Sequence, residues 1–107
     1  MIKQKTFKNA ISCMGVGLHS GKKVSMTLMP GKPNSGIIFK RTDISGSGAI
    51  IKATWENVVE TTLCTTLGNN DGVTISTVEH LMAALSASGI DNAVVEVNGS
   101  EVPVMDG

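Results

Sequence analysis

The sequence predicts an α+β domain, a layered unit in which a mainly antiparallel sheet packs on a small helical layer. Three observations carry this expectation. Turn signals cut most of the chain into short segments of about six to eight residues, the size of strands. Two of those segments alternate apolar and polar side chains with a period of two. One longer segment, TISTVEHLMAALSASG at residues 74–89, carries an apolar stripe at helical spacing instead.

Taken in order, VSMTLM puts Val24, Met26 and Leu28 on one face and Ser25 and Thr27 on the other, the pattern of a half-buried strand. The segment MPGKPNSG (29–36) holds two prolines and two glycines, so GIIFKR is expected to return beside VSMTLM as a hairpin. AIIKATW and TTLCTTL read as further strands, the second rich in β-branched threonine. TWENVVETT (54–62) is expected to hold a second, shorter helix. In the main helix Val78, Leu81, Met82 and Leu85 follow i, i+3, i+4, i+7 spacing, with Ser76 or Thr77 as cap and Gly89 as stop. NAVVEVN then sets Ala93, Val95 and Val97 on one side of a last strand.

At 107 residues the chain suits one domain, and 41% hydrophobic against 17% charged residues is a globular balance. Lys plus Arg and Asp plus Glu number 9 each, and the only aromatic residues are Phe7, Phe39 and Trp55. A nucleic-acid interface needs a basic stripe with stacking platforms, so that role is not expected. Cys13 and Cys64 form no CxxC pair, and reduced thiols in a cytoplasmic protein are the simplest reading. No apolar run backs the N-terminal lysines as a signal peptide would, and none reaches the roughly 20 residues of a membrane-spanning helix.

Glu79 and His80 are the residues that raise a chemical question. Ser76-Thr77-Val78-Glu79 is a capping box, which accounts for Glu79 without catalysis; the alternative is a functional carboxylate. His80 lies off the apolar stripe, among alanines at helical spacing, where there is room beside the ring. A surface histidine and a metal ligand both fit. The H-E-x-x-H zinc motif is absent, since Val78 and Met82 stand at the histidine positions. His19 is the only other histidine, and it falls in GVGLHSGKK (15–23). That segment misses the phosphate-loop pattern at Val16 and Lys23 and reads as a glycine-rich turn between strands. Cys64 reads as a buried strand thiol.

Four blocks, MGVGLHSGKKV (14–24), TTLCTTL (61–67), STVEHLMAAL (76–85) and GIDNAVVEVNGSEVPVMDG (89–107), occur in order and together resemble the UDP-3-O-acyl-N-acetylglucosamine deacetylase family. The resemblance implies the N-terminal domain, residues 1–107, of a two-domain zinc amidase of lipid A biosynthesis in Gram-negative bacteria. It implies removal of the N-acetyl group from a UDP-linked, 3-O-acylated glucosamine, with release of acetate. Glu79 would be the general base, His80 a Zn2+ ligand, and Thr62, Leu63 and Cys64 substrate contacts. The other His and Asp ligands, a second catalytic His and the acyl-chain tunnel would belong to a C-terminal domain absent from this chain. The 107 residues alone are therefore expected to be inactive. The competing class is a non-catalytic α+β binding or assembly module.

Overall fold

The computed structural model describes residues 3–60 and 64–104, with only the backbone of Ser47. Among these, nine strands form two sheets, accompanied by one α-helix. In chain order they are β1 (Ile11–Gly17), β2 (Lys23–Pro30), β3 (Ile37–Arg41), β4 (Ile50–Lys52), β5 (Val58–Glu60), β6 (Thr66–Gly68), β7 (Thr74–Ser76), α1 (Glu79–Ala87), β8 (Ala93–Val97) and β9 (Pro103–Val104). The larger sheet runs β4-β3-β8-β2-β1-β9, and the smaller runs β5-β6-β7. Every strand pair is antiparallel except β3 with β8. The predicted α+β class with a mainly antiparallel sheet is what the chain adopts.

The core lies where one face of the large sheet meets the small sheet and α1. From β2 come Val24 and Met26, from β3 Phe39, from β4 Ile51, and from β8 Val95 and Val97. Leu67, Ile75, Val78 and Val102 close it from the other side. The alternation read from β2 and β8 is thus the core-facing register: Ala93, Val95 and Val97 are at most 1% exposed. Val78 at the N-cap of α1 and Leu85 within it are buried, and Leu81 and Met82 pack against the core half-buried.

Three local expectations are corrected. The hairpin between β2 and β3 does not form, because β8 inserts between them. β8 buries Ala93, Val95 and Val97 and half-buries Val94 and Glu96, and a strand covered on both faces belongs in the middle of a sheet. Asn92 seats the arrangement: its Oδ1 accepts from Gly36 N at 2.9 Å, and Ala93 N donates to Gly36 O at 3.1 Å. The turn after β2 passes so close that a Cβ on Gly31 would meet Ala93 N at 2.6 Å.

The second helix is also absent from the described part of 54–62. Trp55–Asn57 makes a single 3-10 turn and β5 follows at once. Val58 and Val59 favour extended backbone, and Trp55, 83% exposed, gives that segment no buried apolar stripe.

The third correction concerns the helix start. The capping box is not made: Val78 is the N-cap residue and no side chain caps the helix. Ser76 lies in β7, where its N–H already donates to Ser100 O at 2.8 Å, so it offers Glu79 no orphan donor. Gly89 does end α1, at a φ of 73°.

Candidate functional site

α1 leaves the small sheet through a tight pivot. Thr77 takes a φ of 62°, an uncommon value for a β-branched residue. Its N–H and that of Val78 both point to Thr65 O, at 2.9 and 3.4 Å. The first helical turn then presents Glu79 and His80 on adjacent positions, about 100° apart around the axis.

Glu79 is half-buried and accepts from Thr65 N at 3.2 Å through Oε2. It lines a depression of about 190 Å³ with Trp55, Thr65, Val78 and Met82 among its neighbours. His80 is exposed and lines a different groove, of about 470 Å³. The walls of that groove are mostly apolar: Met26, Leu81, Ala84, Val102, Pro103 and Val104, with Thr77. Among the described residues the two side chains share a helical turn and line separate depressions. No hydrogen bond among the described residues engages the imidazole of His80, which leaves its nitrogens available.

Cys64 is half-buried in a bend before β6, not within a strand as expected. Its Sγ lies 3.8 Å from Thr66 Oγ1, and it directly precedes the Thr65 amide that holds Glu79. Thr62 and Leu63 lie outside the described residues. Cys13, in β1, donates to Met26 O at 3.6 Å, and burial pushes its thiol above its ordinary range. Both thiols are free.

Sequence reasoning missed the best-connected side chain near the site. Glu101 is 5% exposed, and three donors bond its carboxylate. His19 N reaches Oε2 at 3.0 Å and Oε1 at 3.2 Å, Ser20 N reaches Oε1 at 3.1 Å, and Thr77 Oγ1 reaches Oε2 at 2.8 Å. Burial alone would raise its pKa, but the bonds from His19, Ser20 and Thr77 outweigh that and hold it below the ordinary value. The glycine-rich turn thus offers its amides to an anion, as a phosphate loop would, and the anion is an internal carboxylate. The available signal was a lone charge directly before an apolar segment, EVPV. His19 itself joins through its backbone N–H, and its side chain is exposed.

Zinc can be tested against these donors. A catalytic zinc takes three protein ligands and keeps one position open. Among the described residues no three His, Cys, Asp or Glu side chains cluster to hold a metal. His80 fits as one ligand of a set, and the described residues do not complete it.

The family model for UDP-3-O-acyl N-acetylglycosamine deacetylase matches residues 4–107, and the chain belongs to that family. It is 55% identical over 107 residues to a UDP-3-O-acyl-N-acetylglucosamine deacetylase of Haemophilus ducreyi. It is 54% identical over the same length to proteins of that name from Shewanella baltica strains. Each alignment covers 100% of this chain and 35% of the relative, so the chain spans about a third of the length of the curated relatives it matches.

Proposed function

We propose that this chain forms the N-terminal part of a zinc-dependent N-deacetylase acting on UDP-3-O-acyl-N-acetylglucosamine in lipid A biosynthesis. The observation that carries the reading is the family match across residues 4–107 together with an intact Glu79–His80 pair on the first turn of α1. Free thiols at Cys13 and Cys64 support a reducing, cytoplasmic setting, and no helix among the described residues is long and apolar enough to cross a membrane.

Hydrolysis of the acetamide adds water across its C–N bond. The acetyl carbon gains an oxygen, the sugar nitrogen gains a proton, and acetate and a free amine leave. Zinc, when bound, supplies Lewis acidity and a lowered water pKa. His80 would be one of its ligands. Glu79 takes the proton that the attacking water gives up, and general-base help of this kind is worth about 10²- to 10⁴-fold in rate. The Thr65 amide orients that carboxylate, and the core behind Val78 and Leu85 holds the turn still. Residues 62–64, next to Thr65, are the proposed substrate contacts. The remaining zinc ligands and the acyl-chain site are assigned to the length of the relatives that this chain does not span, so the 107 residues alone are assigned no turnover.

The test is acetate release from UDP-3-O-acyl-N-acetylglucosamine by the full-length protein carrying these residues, with zinc quantified in the same sample. Zinc-dependent release supports the reading. A folded, zinc-loaded protein that releases no acetate overturns it.

A further inference from the structure

Glu101 sits where three separate parts of the fold meet. Ser76 N donates to Ser100 O at 2.8 Å and Val102 N to Ser76 O at 2.9 Å, so residues 100–102 run parallel to the end of β7. Two residues on, Pro103 and Val104 pair with β1 in the large sheet. Between these anchors the carboxylate of Glu101 turns into the β1–β2 turn and also holds the Thr77 hydroxyl. The fit is close, since a Cβ on Gly17 would meet Glu101 Oε1 at 2.4 Å.

Thr77 directly precedes Val78, the N-cap of α1, and is held in a left-handed conformation that persists only where the surrounding structure enforces it. Its hydroxyl donates to Glu101 Oε2 at 2.8 Å, the side-chain contact made by this residue. We propose that Glu101 is a positioning residue for the Glu79–His80 pair, locking the Thr77 pivot and coupling it to the His19–Ser20 turn. The inference rests on the deacetylase reading for its kinetic consequence only. Three donors, the amides of His19 and Ser20 and the Thr77 hydroxyl, converge on this carboxylate, and a glutamine NH2 in place of either oxygen would face the His19 N–H, which cannot become an acceptor.

The test uses the full-length protein with Glu101→Gln, Thr77→Val and Thr77→Ser. Thr77→Val removes the pivot hydroxyl and leaves Glu101 with its two backbone donors, so it stays informative even if Glu101→Gln fails to fold. Misplacement of reacting groups by about 1 Å costs on the order of 100-fold. We expect kcat to fall about 10- to 100-fold in Thr77→Val with KM within about threefold, and Thr77→Ser to restore it. Amide hydrogen exchange should speed up in the first turn of α1 in Thr77→Val and not in Thr77→Ser. A folded Thr77→Val protein with wild-type kcat and unchanged exchange overturns the proposal. If the wild-type protein releases no acetate, the activity reading fails alone, and the exchange measurement still decides the positioning role.

Discussion

The amide of Thr65 donates to Oε2 of Glu79 at 3.2 Å, so a residue entering β6 orients the carboxylate at the head of α1. The bond leaves the other carboxylate oxygen uncommitted to Thr65. Replacing Glu79 by glutamine keeps an acceptor for that amide but removes the proposed base. Glu79→Gln in the full-length protein should therefore keep the fold and its zinc while lowering acetate release about 10²- to 10⁴-fold. Initial rates and metal content measured on one preparation check this. A variant within twofold of wild type would remove Glu79 from the mechanism.

Glu101 gives a pH prediction. Its pKa in the fold lies below the ordinary 4.5, because donors from His19, Ser20 and Thr77 outweigh the cost of burial. A lowered native value stabilises the fold fully above the unfolded value and loses that contribution as pH falls through the native one. The stability gap between wild type and Glu101→Gln should be widest above about pH 4.5 and shrink below it. Urea titrations across pH measure the gap, and one that stays constant contradicts this account of the carboxylate.

Gly17 is the place where the same cluster tolerates no added carbon. A Cβ there would lie 2.3 Å from Ser20 Oγ and 2.4 Å from Glu101 Oε1. Gly17→Ala should cost about 1–3 kcal/mol, the range for overpacking. It should also loosen the turn, seen as faster exchange at the His19 and Ser20 amides. Unchanged stability and exchange would show that the turn adapts.

Phe39 tests the core. It is fully buried in β3, opposite Ile51 on one side and Val95 on the other. Phe39→Ala should lose about 3–5 kcal/mol in chemical denaturation, a large share of a typical domain's stability. A loss under about 1 kcal/mol would place Phe39 outside the cooperative core.

What could be read in the sequence was local. Val24, Met26, Val95 and Val97 declare their buried face by alternation, and Val78 and Leu85 by helical spacing, because each pattern lies within one element. The β3–β8 pairing could not be read that way. It depends on β8, far along the chain, outcompeting β2 for the place beside β3. The Ser76–Glu79 capping pattern was real in the sequence but lost its donor to Ser100, a partner set by tertiary pairing. Glu101 stayed hidden for the same reason: its partners come from the β1–β2 turn and from Thr77. Glu79 and His80 could be picked out as adjacent positions, whereas their opening onto separate depressions depends on what packs on each side of α1.

The central claim is that His80 ligates a zinc ion that Glu79 serves. The most direct measurement is zinc stoichiometry of the purified full-length protein and its His80→Ala variant, each confirmed folded. The account predicts about one zinc per chain in the wild type and a large loss from the variant, with loss of acetate release. Normal zinc occupancy and normal turnover in a folded His80→Ala protein would contradict it.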